Sequence, residues 1–280
     1  MKSNHENPRE GDLLRLLSDV LTTKVFTYFG FKERLRLDRL CMHWQIENQR
    51  KSLPLYVPED CPTLEEAVQR VEQDQRITTI VLGQGEHQIG VSLKIFSAMS
   101  IVGRPGVPKE KIVVMGGIWF KREIQGNCHL QHMTIRQAKG SGVWGGSSFT
   151  MEDVIVEQCG WYGVVADGTG IVGRCTNVEV RQCEMSGMVA MQGASITLIG
   201  AKTTVHDNCT EERSQNYGLQ VSGSSSSTIQ LVYPLTKEQV AIKNGRGGNW
   251  GAEFGGHINQ IKTIKKFSVA FCVAFSRDML

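Results

Sequence analysis

Aromatic residues are scarce in this chain: 7% are Phe, Trp or Tyr, against 30 glycines in 280 residues. That balance argues against a helical bundle and for many tight turns. An excess of one charge sign is also missing. Thirty-one basic residues meet 28 acidic ones, a net of +3, so neither nucleic acid nor an anionic membrane is expected as partner. No stretch reaches the ~20 apolar residues of a membrane span. "FSVAFCVAF", 267–275, is short and reads as a strand. "MKSNHENPREGD" at the start lacks the apolar run of a secretory signal. The eight cysteines are therefore expected as reduced thiols in an intracellular protein, cytoplasmic or nuclear. Close CxxC or HxxxH pairs, the usual zinc spacing, are absent. No metal and no cofactor is expected.

What is present falls into two regions of different period. Over 11–50, Leu13, Leu16, Leu17, Val20 and Leu21 recur at helical spacing, as do Leu37, Leu40, Cys41 and Trp44. This region predicts two or three short helices. "KSLPLYVPEDCP", 51–62, carries three prolines and marks the domain boundary. "TLEEAVQRVEQ" predicts a helix over 63–73, with Thr63 as N-cap and Glu66 completing a capping box. Beyond it the period becomes two. "TTIVLGQGEHQI", "MSIVGRPG" and "KIVVMGG" read as short strands between Gly/Pro turns.

Three later stretches echo one another: "IRQAKGSGVWGG" from Ile135, "VEQCGWYGVVADG" from Val156 and "VRQCEMSGMVAMQG" from Val180. The offsets are 21 and 24 residues, a period that marks a solenoid. The Leu frame of leucine-rich repeats is missing, and a parallel β-helix over 51–270 fits better. In that register Ile135, Val156 and Val180 form an inward aliphatic column. Arg136, Glu157 and Arg181 form an outward column of alternating sign. Ala138, Cys159 and Cys183 form a column of small apolar side chains. Gly142, Gly163 and Gly187 mark a turn that needs positive φ or close approach of coils. "TTVHDNC" and "YGLQVSG" make a weaker fourth coil, with Gly218 in the glycine column and Cys209 one residue out of phase, which predicts a small insertion or bulge.

"LLSDVLTTKVFTYFGFKERLRLDRLCMHWQ", Leu16 to Gln45, resembles the F-box. The match runs through Leu17, Leu21, Val25, Phe26, Leu40 and the Leu-Cys-x-x-Trp ending at Trp44. The resemblance implies that these six side chains dock on a Skp-type adaptor, and through it on a cullin, in a ubiquitin ligase. "CPTLEEAVQRVEQDQRITTIVLGQGEHQI" resembles the entry segment of the pectin-lyase-like superfamily, which implies a mainly β fold, a right-handed parallel β-helix, after a small all-α F-box-like region. An F-box ahead of such a solenoid implies a substrate receptor whose β-helix binds a protein.

The rival reading is a carbohydrate-active β-helix enzyme or lectin. Such enzymes need clustered carboxylates on adjacent coils, whereas Asp153 aligns with Asn177 and Asp167 with Met191. Glu152, Glu157, Asp167 and Glu184 are therefore expected to be solvated rather than catalytic. Cys159 and Cys183, with His129, His132 or His206, are expected to pack rather than bind metal. "NGRGGNWGAEFGG", 244–256, lacks the ending of a phosphate loop and reads as a glycine-rich turn or flexible insertion. "SGSSSST", 222–228, reads as a polar turn. Trp144, Trp161 and Tyr162 fall on the turn that carries the glycine column. They are the candidates for contact with a protein substrate, burial under a loop being the other reading.

Overall fold

A computed structural model describes residues 54–74, 76–211, 215–245 and 247–265. The chain divides into two units after Leu53, and the described residues belong to the second. The expected helices of 11–50, with Leu17, Leu21, Val25, Phe26, Leu40 and Trp44, lie outside the described residues. So does the segment 267–275.

The described chain winds into a parallel β-solenoid of nineteen strands, Leu55–Val57 to Ile261–Ile264. Pairing is parallel throughout and connects each coil with the next. The strands stack into three faces. One runs through Thr79–Leu82, Ser100–Gly103, the first half of Cys128–Arg136 and on to Ile261–Ile264. A second holds the latter half of Cys128–Arg136, the latter half of Phe149–Glu157, Glu179–Arg181 and Thr204–His206. The third holds Val143–Gly145, Val164–Asp167, Met188–Met191 and Leu219–Ser222. No helix among the described residues is long and apolar enough to cross a membrane.

Period-two patterning sets what lies inside. On the second face Val114, Ile135, Val156, Val180, Val205 and Ala241 stand in register, and all are fully buried. The expected aliphatic column is thus longer than three members. Its outward counterpart is an ion-pair ladder. Arg136 Nε lies 2.5 Å from one Glu157 oxygen, and Arg181 lies 2.6 Å from the other. Glu157 is not solvated as expected; it is 3% exposed, because two arginines roof it. Asp167 is also buried, at 8%, beside Arg122 at 3.2 Å. Glu152 and Glu184 are exposed, as expected.

The glycine column needs a different cause from positive φ. Gly142, Gly163 and Gly187 are not among the positive-φ residues. They are required by close approach: a Cβ on Gly163 would lie 2.3 Å from Val180 Cγ1 and 2.5 Å from the Gly187 carbonyl oxygen. Positive φ belongs instead to Gln137, Gln158 and Gln182, at 54–56°, where the chain turns the corner after the second face. Their side-chain amides run up the stack, Gln137 donating to Gln158 and Gln158 to Gln182, both at 3.4 Å. His132, Asp153 and Asn177 form a second left-handed corner, at 52–55°.

Cys159 and Cys183 are buried in the small-residue column. The residue in phase with Cys183 is Asn208, since Arg181 pairs with His206. Asn208 accepts from Cys183 N–H at 3.1 Å and donates to the Val180 carbonyl at 3.0 Å. Asn244 repeats the pattern one coil later, accepting from Asn208 N–H and donating to the Val205 carbonyl. The expected insertion follows Asn208, because the coil offset of 25 residues there grows to 31 at Gly218.

The helix forms over Leu64–Gln73, burying Leu64, Ala67, Val68 and Val71. Thr63 accepts from Glu66 N–H at 3.2 Å, but the expected capping box is only half made: the Glu66 carboxylate pairs with Arg70 at 2.8 Å instead. The glycine-rich 244–256 contains the strand Trp250–Glu253, paired with Leu219–Ser222; its glycines admit close backbone contact, as at Gly247 over Asn216. In 222–228, Ser227 is buried and donates to the Ser222 carbonyl at 2.9 Å.

Candidate functional site

The third face carries tryptophan on its outer side for a packing reason. Ile118, Phe120, Val143 and Gly145 are buried. Gly145 leaves room for the Phe149 ring, which a Cβ would meet at 2.2 Å, and Phe149 stacks on Phe120 with centroids 6.0 Å apart. Alternation then turns Trp119 and Trp144 outward. They are register partners, 6.4 Å apart and tilted by 58°. Lys94 precedes Trp119 in the same column, and Val165 follows Trp144.

Trp161 comes from the arch that joins the second and third faces. Its N–H donates to the Gly140 carbonyl and its own carbonyl accepts from Met185 N–H, both at 3.1 Å. The arch is thus hydrogen-bonded to the coils on either side. Gly160 is required there, because a Cβ would come within 2.8 Å of the Lys139 carbonyl oxygen. The Trp161 indole lies over Gly140 and is 53% exposed. On the opposite wall a β-bulge between Gln88 and Ser92 pushes Val91 outward. Gly90 N–H, within that bulge, donates to Glu65 of the capping helix at 2.9 Å.

These elements enclose a groove of about 350 Å³, floored by Ile118, Trp119 and Trp144 and walled by Val91 and Trp161, with Lys139 and Ser141 at its side. No carboxylate among the described residues lines it. Lys121 Nζ sits 3.5 Å from the centre of the Trp119 ring, a cation–π contact. The hydroxyl of Ser141 is buried without a hydrogen-bond partner among the described residues. The structure therefore brings Trp144 and Trp161 together. Tyr162 does not line the groove; its carbonyl accepts from Gly142 N–H at 2.9 Å. Trp119 and Val91 were missed from sequence. Trp119 had a signal, since "GIW" at 117–119 echoes "GVW" at 142–144 one coil ahead of the three echoing stretches. Val91 had none.

Away from the groove, Asp153 and Glu157 are neutralised by basic partners. Asp153 accepts from Lys109 at 2.8 Å and faces His132 Nδ1 at 2.7 Å. Burial pushes its pKa up, but the bonds from Lys109 and His132 outweigh this and hold it below the usual range. Glu157 behaves likewise, burial opposed and outweighed by Arg181 and Arg136. Glu253 is the exception. Burial raises its pKa against one bond from Gln220, and its other oxygen is buried without a partner among the described residues.

The thiols are set for packing. Burial pushes Cys128 up to about 11 and Cys175 and Cys209 to about 12. Cys183 is raised by its bond to Cys159 and by burial. His129 faces Thr150, His132 faces Asp153 and the Val107 carbonyl, and His206 faces Asp207 and Glu179. No group of metal-ligating side chains occurs among the described residues.

No protein-family model matches the sequence, and neither a curated protein nor a solved structure does.

Proposed function

We propose that the chain is a non-enzymatic substrate-recognition adaptor of a Skp–cullin–F-box type ubiquitin ligase. In this reading the F-box-like region 11–50 recruits the Skp-type adaptor and cullin, and the solenoid, taken as a right-handed β-helix of pectin-lyase-like kind, holds a protein substrate. The observation that carries it is the tryptophan groove. Large, rigid aromatic side chains exposed on a stiff scaffold are what protein interfaces use as anchors, and an exposed apolar concavity marks a binding site. The solenoid contributes stiffness because each coil buries its core on the next.

The groove also speaks to the rival reading. Tryptophan faces can stack on sugars, but a sugar needs many hydrogen-bonding partners, and among the described residues the lining offers Ser92, Ser141, Lys139 and the indole N–H groups alone. Hydrolysis or elimination needs an acid or base beside the ligand, and the groove lining has no carboxylate among the described residues. The test is affinity capture of tagged full-length protein from a eukaryotic lysate, probed for cullin and Skp-type adaptor. Both should be retained, and both should be lost on Leu17→Ala. Absence of both from the full-length capture would contradict the proposal.

A further inference from the structure

We infer that the occupant of the tryptophan groove is a short extended peptide segment with a large apolar side chain beside acidic residues. The inference rests on reading the groove as the substrate-recognition face, and names the chemistry that this face selects.

Charge complementarity carries it. Three lysines stand at or beside the apolar floor, of which Lys139 lines it. Lys121 lies over the Trp119 ring, and Lys94 stands beside Trp119 in the same column. Lys94 and Lys139 are exposed and have no carboxylate partner among the described residues. This contrasts with Arg136, Arg181 and Lys109, which each meet an acid, and with Arg122, which pairs with Asp167 at the end of the third face. The groove thus has an apolar base with lysines on the Trp119 and Lys139 side, while at the Val91 wall the Glu65 carboxylate accepts from Gly90 N–H. A cationic or methylated-lysine ligand, which aromatic walls otherwise suit, would be repelled by the lysines. An anionic flank gains from them, and an apolar side chain gains from the floor.

Length follows from the lattice of the fold. Lys94, Trp119 and Trp144 occupy successive rungs, so the column spans about 10 Å at ~4.8 Å per rung. An extended chain advances ~3.3 Å per residue, so about three or four residues cover the site. One large apolar residue against Trp144 and Trp161, with carboxylates directed to Lys94, Lys121 and Lys139, satisfies both requirements.

The experiment is fluorescence anisotropy on full-length protein with labelled synthetic peptides. One has a Leu-Phe-Leu core with Asp and Glu flanks. A second has the same core with Lys flanks, and a third has acidic flanks around Gly-Ser-Gly. The acid-flanked apolar peptide should bind about tenfold more tightly than either control, and added salt should narrow its advantage over the Lys-flanked peptide. Trp161→Ala should weaken it about tenfold; that side chain is half exposed, so the fold loses little. Lys139→Glu with Lys94→Glu should reverse the flank preference while thermal melting stays unchanged. The inference is overturned if the Lys-flanked peptide binds as well as the acidic one, if Trp161→Ala has no effect, if no peptide binds, or if cellohexaose displaces the peptide. No ligase component is in the assay. Failure here beside intact adaptor capture would remove the peptide inference alone, and failed capture beside selective peptide binding would remove only the ligase role.

Discussion

Glutamine in the left-handed region is the least expected residue choice in this fold. Gln158 has φ of 55°, a conformation that costs an L-residue roughly 1–2 kcal/mol. Gln158→Gly should leave stability level or raise it slightly. Gln158→Val should lower it by about 1–2 kcal/mol, because β-branching sharpens the clash at positive φ. Denaturant midpoints of the two variants check this. Two glutamates titrate in opposite senses. Glu157 is held below its ordinary 4.5, so its contribution is complete above that value and is lost as pH falls through the depressed folded pKa. Glu253 is raised above 4.5, so the folded chain gains from it only below that value and loses the gain as pH rises through the folded pKa. Glu157→Gln should therefore lower Tm at neutral pH and flatten the acid limb, whereas Glu253→Gln should raise Tm at neutral pH and lose that advantage in acid. Melts at about pH 7 and about pH 4 separate them; shifts that do not change with pH would contradict both.

At the scale of a coil, the inward column of Ile135, Val156 and Val180 was legible because the side-chain period of two and the repeat offsets agree. The glycine column was legible in position but not in cause. Its glycines yield to the valine of the next coil, not to a left-handed turn, and nothing in a single repeat distinguishes these. Glutamine hid the true corners, since Asn, Asp or Gly is the usual signal of positive φ. Cys209 was rightly placed one residue out of phase, but the Asn208–Asn244 ladder that takes the cysteine position had no sequence signal, since the two asparagines stand 36 residues apart across the insertion. Gly163→Val tests the corrected cause. It would force branched atoms into the 2.3 Å contact with Val180 and should cost roughly 1–3 kcal/mol or more by overpacking. A double variant with Val180→Ala should recover part of that loss, since it removes the clashing methyl; a positive-φ origin would give no recovery. The groove obeys the same logic. Trp144 and Trp161 could be chosen from sequence as exposed aromatics, but Val91 is placed by a bulge whose register only the paired strands reveal.

For the molecule as a whole, the parallel solenoid follows from repeat length and patterning, while the use to which it is put follows from what each face leaves unpaired. The acids of the second face are tied to arginine, and the third face presents indoles beside Lys94 and Lys139, which have no carboxylate partner among the described residues. Purified protein should therefore neither cleave nor de-esterify pectin, polygalacturonate or alginate, with or without calcium. Reducing-sugar and ultraviolet lyase assays check this, and turnover abolished by Asp153→Ala or Asp167→Ala would replace the adaptor reading with an enzymatic one. Deletion of 1–50 should leave a soluble chain with β-type circular dichroism, because the coils bury their own core. The most direct measurement is calorimetric titration of purified Skp-type adaptor into the full-length protein and into the deletion. Full-length protein should bind one adaptor saturably, Leu17→Ala and Trp44→Ala should weaken that binding about tenfold or more, and the deletion should show none. Adaptor that binds the deletion equally well, or never binds the full-length chain, would contradict the account.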